Sequence, residues 1–291
     1  MSPELVIVYS LVNGGVYALL AVGFSLIFGV GRVLNLSHAA FLMLASYSIW
    51  FFTRQQGLGI IASIAITVPA VTLLGLLVYK LFIDRIREHP TAVLLLTIAL
   101  LLIFEEILFM SFGGHVRTVE LFIPGYSVIF GIKVLNQHLV ILGIVAVAIT
   151  VTQLLLTKTK LGITIRAVAN DAEVANLMGI SASRTLLITT GVATALAAVA
   201  GIAMAPLWAL TPTMWGSPML MMMVIVILGG LGSIKGSIIG AFIVGFVQIL
   251  VVALLPGGGY LNLTFVLLAM VIVLIVKPEG LFGTAFEEEK L

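Results

Sequence analysis

The segment from Leu139 to Leu156 runs for 18 residues without a charged side chain, and runs like it recur along almost the whole chain. About 18 or more continuous apolar residues make a helix able to cross a bilayer core about 30 Å thick. Composition rules out a water-soluble globule: 62% of the residues are apolar and 9% charged, against about 45–50% and about 25% in soluble domains. Membrane barrels alternate apolar and polar residues in segments of about ten, whereas these runs are continuous. The fold class is therefore an all-α polytopic integral membrane protein with 8–9 transmembrane helices, two of them short or interrupted.

Nine spans are predicted: Leu5 to Val30, Ala39 to Phe52, Ile60 to Tyr79, Thr91 to Phe112, Leu139 to Leu156, Leu186 to Leu210, Met219 to Leu228, Ser237 to Leu255 and Leu261 to Val276. The opening MSPELVIVYS has no basic n-region and leads into a stretch too long for a signal core, so it is expected to stay as the first span. Cysteine is absent, which excludes disulfides and thiolate metal sites.

Lys158 to Arg184, KTKLGITIRAVANDAEVANLMGISASR, is the one long polar island. Ile165, Val168, Ala172 and Ala175 recur at helical spacing while Arg166, Asn170 and Glu173 share a neighbouring face, which predicts one short amphipathic helix. Gly179 should end it in a left-handed cap. Cytoplasmic loops collect Lys and Arg. Strict alternation with the island inside places Arg32, Lys80, Arg85, Arg87, Lys158, Lys160, Arg166, Arg184, Lys235, Lys277 and Lys290 inside, and only Arg54, Arg117 and Lys133 outside. The N-terminus is then outside and the C-terminus cytoplasmic, with loop 158–184 placed to receive a push from a soluble partner. The acidic tail Glu287 to Lys290 reads as solvated.

Two spans are too short. Ala39 to Phe52 and Met219 to Leu228 reach roughly 21 and 15 Å at about 1.5 Å per residue, so each must borrow neighbours at membrane depth: GVGRVLNLSHA before the first, GGLGSIKGS after the second. Short or glycine-interrupted spans in the two halves of a carrier point to its transport site. Asn35, Ser37 and His38 sit at the first break, where unwound backbone faces protein or a water-filled cavity. They line a solute pathway, or Asn35 or Ser37 caps the helix that follows; both are compatible. Glu105, beside Glu106, is acidic within an apolar span and is a candidate for holding a cation or a proton. Asn13 and Gln248 are lone polar groups suited either to interhelical hydrogen bonds or to the pathway. Gly232, Gly236 and Gly240 repeat at four and predict a smooth stripe for helix packing, with Gly191, Ala195 and Val199 a weaker instance. The outside loop Gly113 to Gln137 has its turn signal at Pro124 and Gly125. No GK dipeptide occurs, so there is no P-loop for ATP, and no metal site is expected.

Three blocks together resemble a known family: NGGVYALLAVGFSLIFGVGRVLNLSHAAFLMLASY at Asn13 to Tyr47, GITIRAVANDAEVANLMGIS at Gly162 to Ser181, and VILGGLGSIKGSIIGAFIVG at Val226 to Gly245. They are similar to the Liv-type permease subunits of branched-chain amino acid ABC importers, more to the H-type than to the M-type. The resemblance implies a single transmembrane permease domain over 1–291 in a bacterial inner membrane. It also implies a second permease subunit, two ABC ATPase subunits that bind the ATP, and a periplasmic substrate-binding protein, with no cofactor on this chain and no nucleic-acid partner. It further implies a coupling helix over Arg166 to Gly179, with Asn170, Asp171 and Glu173 at the ATPase contact, and a pathway role for Asn35 to His38. Glu105 and Glu106 stand where relatives are expected to carry a neutral amide, which leaves the substrate open among branched-chain amino acids, other amino acids, amides and urea. A stand-alone secondary transporter using Glu105 as an ion relay is the rival reading. A passive channel is disfavoured by the absence of an NPA pair.

Overall fold

A computed structural model describes residues 3–129 and 131–283; the tail Glu287 to Lys290 lies outside the described residues. Within a bilayer every backbone amide needs an internal partner, so apolar stretches of this length close into helices. Seven described helices are long and apolar enough to cross: α1 (Pro3–Gly31), α3 (Ile60–Val78) with its continuation, α5 (Pro90–Phe112), α6 (Asn136–Lys158), α9 (Ala182–Met204), α11 (Ile234–Leu254) and α12 (Gly258–Val276). Helix α3 continues through a π-helical turn (Tyr79–Ile83) into the one-turn α4 (Asp84–Ile86). Two shorter helices complete the set. One is α2 (His38–Trp50), prolonged by a π-helical turn over Phe51–Gln55; the other is α10 (Gly216–Gly229).

Burial divides the helices sharply. Of the residues in an 18-residue apolar stretch, 67% are buried in α1 and 72% in α9, against 6% in α12, so α1 and α9 form the axis around which the others pack. Small residues make this possible, because lipid supplies no hydrophobic drive between helices and close backbone approach must do so instead. A Cβ on Gly245 of α11 would lie 2.7 Å from the Cα of Gly14 on α1, and one on Gly75 of α3 would collide with Thr194 of α9.

Those two contacts belong to a pattern. The first half runs α1, α2, α3, α5 and the second α9, α10, α11, α12; in each, a long buried helix is followed by an irregular segment and then by a short helix. Each half sends its third helix onto the other half's first (α11 on α1, α3 on α9) and its short helix onto the same place (α10 on α1, α2 on α9). Helix α6 stands between the halves, so α9 is the sixth crossing and runs opposite to α1. The halves are thus repeated with inverted topology, the arrangement that places transport sites at the repeat interface.

The polar island differs from the single helix expected. It forms α7 (Lys160–Asn170) and α8 (Ala172–Leu177), broken at Asp171. Asp171 caps α8, its Oδ1 accepting from the backbone amides of Glu173 and Val174 at 2.9 Å each. Ile165, Val168 and Ala175 are buried, while Ala172 is exposed because the break rotates it off their face. At the far end Gly179 takes φ +83°, with Gly179 N–H bonded to Asn176 O and Ile180 N–H to Ala175 O, the paired bonds of a Schellman cap. The connector from Gly113 to Gln137 holds a small antiparallel hairpin, β1 (Tyr126–Ile129) with β2 (Ile132–Leu135), in the register Tyr126↔Leu135. The strands pair as far as Ile129↔Ile132, so Pro124 and Gly125 precede the hairpin rather than forming its tip.

Candidate translocation and coupling sites

The chain turns at Arg32, whose φ of 51° is the only positive value among described non-glycine residues, and then runs back along α1 before α2 begins. A Cβ on Gly31 would touch Val33 at 3.4 Å, whereas one on Gly23 would touch His38 Nε2 at 2.8 Å. Eight residues of α1 at about 1.5 Å each separate those points, so α2 starts roughly 12 Å along α1 from its end. This non-helical stretch lets a 13-residue helix complete a crossing.

Asn35, Ser37 and His38 are all buried at that start, at 2%, 0% and 0% exposure. Ser37 occupies the N-cap position, but its hydroxyl donates to Asn35 Oδ1 at 2.6 Å and makes no side-chain cap bond. The Leu36 amide donates to Thr97 Oγ1 of α5 at 3.2 Å. Thr97 was not singled out from the sequence, although it is the one polar residue in the run VLLLTIALLL. The His38 ring fills the notch left by Gly23 and lies 6.4 Å from the Phe24 ring, and both its nitrogens lack a hydrogen-bond partner. Buried polar groups without partners are rare and costly. By contrast, Thr185, Thr189, Thr190 and Thr194 on α9 each bond the carbonyl four residues back. The cavity beside Asn35 measures about 30 Å³, room for about one water. The pathway candidates are therefore sealed in this conformation.

On the face carrying α7 and α8, Arg166, Asn170, Asp171, Glu173 and Gly179 are exposed, and Arg166 Nη1 donates to the carbonyl of Leu156 at the end of α6. Val174, Leu177 and Met178 project from α8 at 53%, 87% and 77% exposure. An apolar ridge on an exposed, charged segment suits contact with a protein. Nearby, Asp84 Oδ1 accepts from Ser183 Oγ at 2.8 Å and its Oδ2 from Lys80 Nζ at 2.8 Å, tying the end of α3 to the start of α9.

The glycine stripe is divided. Gly236 and Gly240 pack on the backbone of α10, at Gly229 and Ile225. Gly232 has φ +80° in the turn before α11 and meets Gly29 of α1, so it is not part of the helical stripe. Of GGLGSIKGS only 230–233 form the turn between α10 and α11; Gly229 ends α10, and Ile234 to Ser237 already belong to α11. Gly191 meets Leu76 of α3, while Ala195 and Val199 line an apolar groove of about 680 Å³ between α6 and α9.

At the opposite face Glu105 is half-buried, and its Oε2 accepts from Trp215 Nε1 at 2.8 Å, 110 positions away; Glu106 is exposed. Arg117 pairs its backbone with Leu210, donates from Nη2 to Phe112 O at 2.9 Å, and sets its guanidinium 4.9 Å from the Trp50 ring centre. The ends of α2 and α5, the loop and the α9–α10 connector are thus fastened together. Asn13 is half-buried on α1, and Gln248 Oε1 is buried without a partner. No group of three potential metal ligands occurs among the described residues.

Comparison with known proteins gives one consistent result. Residues 6–276 match the profile of the family described as branched-chain amino acid transport system / permease component. The high-affinity branched-chain amino acid transport system permease protein LivH of Salmonella typhimurium is 26% identical over 287 residues, covering 93% of this chain and 92% of the relative. BraD of Pseudomonas aeruginosa, described in the same words, is 22% identical, covering 95% and 94%. A probable LivH of Methanocaldococcus jannaschii is 25% identical, covering 100% and 96%. No solved structure matches significantly.

Proposed function

The chain belongs to the branched-chain amino acid transport system / permease component family, and from that premise we propose that it is the membrane subunit of an ABC importer for branched-chain or related amino acids, worked by separate ATPase subunits. The observation that carries the coupling half of this reading is α8: a six-residue helix with its own Asp171 cap and Gly179 stop, presenting Val174, Leu177 and Met178 outward. A short, independently capped helix can transmit a push as a rigid unit. The substrate class comes from the relatives' names, and the burial of Asn35, Ser37 and His38 at a break in the fold supports a polar solute path there.

The full assembly would contain a second permease subunit, two ATPases that bind the ATP, and a periplasmic binding protein, in a bacterial inner membrane. The eleven-to-three distribution of basic residues supports an orientation with α7 and α8 in the cytoplasm and the N-terminus outside. ATP-driven closure of the ATPases would move α8. Helix α9, which begins just past α8 at its Ser181 cap, would carry that motion to the buried axis. Parting of α1, α2 and α9 would then expose Asn35, Ser37 and His38.

The test is reconstitution. Proteoliposomes holding the whole complex should accumulate leucine with ATP and binding protein, and the purified chain alone should not. Glu173→Lys and Leu177→Asp, both at exposed positions, should leave membrane insertion intact and abolish co-purification with the ATPases. Assembly and transport unchanged in both variants would refute the coupling role.

A further inference from the structure

Beneath α7 lies a cavity of about 410 Å³ between the ends of α1 and α6, the buried face of α7 and the start of α11. Its volume falls within the roughly 300–1,000 Å³ of small-molecule sites. Arg166 enters from α7 and Lys235 from the first turn of α11. No acidic residue lines it, and neither cation takes part in a salt bridge among the described residues, where the ion pairs are Arg54–Glu120 and Lys80–Asp84. The 21-residue α11 points its N-terminus at the cavity, with Ser233 accepting from the Gly236 amide at 3.1 Å; the helix dipole favours negative charge there. Independently, Ser25 of α1 lines the same space with its hydroxyl fully buried and without a partner. Leu26 and Ile165 add an apolar wall.

Two cations, a helix N-terminus and an unpaired hydroxyl beside an apolar wall suit a small molecule with a carboxylate at one end and a hydrocarbon side chain at the other. Resting on the importer reading above, we propose that this cavity is a cytoplasmic site for the transported amino acid, held by its carboxylate. A ligand there would join α1, α7 and α11 and hold the coupling segment against the core, so accumulated substrate would slow its own import.

Equilibrium binding of radiolabelled leucine to the purified full-length chain tests the site. Leucine should bind saturably, and leucinol, which lacks only the carboxylate, should bind at least tenfold more weakly. Lys235→Gln should weaken leucine binding at least tenfold, with Lys235→Arg retaining it. Equal binding of the two compounds, or no effect of Lys235→Gln, would overturn the assignment. In proteoliposomes of the whole complex, leucine preloaded on the cytoplasmic side should lower initial uptake several-fold in the wild type and not in Lys235→Gln; equal inhibition in both also overturns it. A chain cut after Gly283 removes Glu287, Glu288 and Glu289 and should bind leucine unchanged. A site that accepts leucine only after the cut belongs to the chain's own glutamates instead. Uptake into vesicles not preloaded tests the importer reading separately, since it requires no ligand in this cavity.

Discussion

The bond between Trp215 and Glu105 separates a fastening role for this carboxylate from an ion-carrying one. At 2.8 Å and half-buried, an indole N–H donating to a carboxylate should contribute about 1.5–3 kcal/mol, the range for hydrogen bonds to charged groups. Trp215→Phe removes the donor, keeps an aromatic ring, and strands the carboxylate without its partner, so it should cost the upper end of that range. Glu105→Gln keeps an acceptor oxygen and a neutral bond worth about 1 kcal/mol, so it should cost only the difference, about 0.5–2 kcal/mol. A double-mutant cycle with both changes, followed by unfolding in mixed micelles, should return a coupling energy of about 0.5–2 kcal/mol, the difference between the charged and the neutral bond. Transport adds a second readout: if Glu105 holds the α9–α10 connector in place, Glu105→Gln should keep at least half of the ATP-driven uptake by the complex. A coupling energy near zero would refute the fastening role. Gradient-driven uptake by the chain alone, lost in Glu105→Gln, would establish the ion-coupled rival.

Three further outcomes are expected. Gly245→Ala, whose new Cβ would sit 2.7 Å from the backbone of Gly14, should push α1 and α11 apart and cost about 1–3 kcal/mol, read as a lower unfolding midpoint; Gly143→Ala, a helix-interior position with nothing within 4 Å, is the clash-free control and should raise the midpoint or leave it unchanged. Asp171→Ala removes both cap bonds of α8 and should destabilise that helix by about 0.5–2 kcal/mol, detected as faster amide exchange over 172–177 and reversed by Asp171→Asn. Cysteines at Asn35 and Ser37, both buried at rest, should resist a membrane-impermeant maleimide without ATP and react during turnover; inertness under turnover would make these residues structural.

Crossing helices, their number and the two short ones were legible because length and continuous apolarity are local properties. So were the buried face at Ile165 and Val168 and the stop at Gly179. The break at Asp171 was missed because an acid between Asn170 and Ala172 fits a polar helix face as readily as a cap; the distinguishing signal is that Asp accepts bonds from the two amides that follow Ala172. The stripe drawn through Gly232 failed because spacing by four says nothing of φ, and a positive value took that residue out of the helix. Partners distant in the chain were not readable at all: Trp215 for Glu105, Thr97 for Leu36, Leu210 for Arg117. Each joins segments 61 or more positions apart, and no local pattern records it.

A polypeptide whose later spans restate its earlier ones upside down owns two related shapes for the price of one. If the halves swap conformations, whatever gap has opened toward one side of the bilayer closes and its counterpart opens toward the other, with the same kinds of contact remade. The preference between these shapes then comes only from positions where the halves differ, so a lesion at Gly75 and its counterpart at Gly245 should bias the balance in opposite directions, and the pair together should restore it.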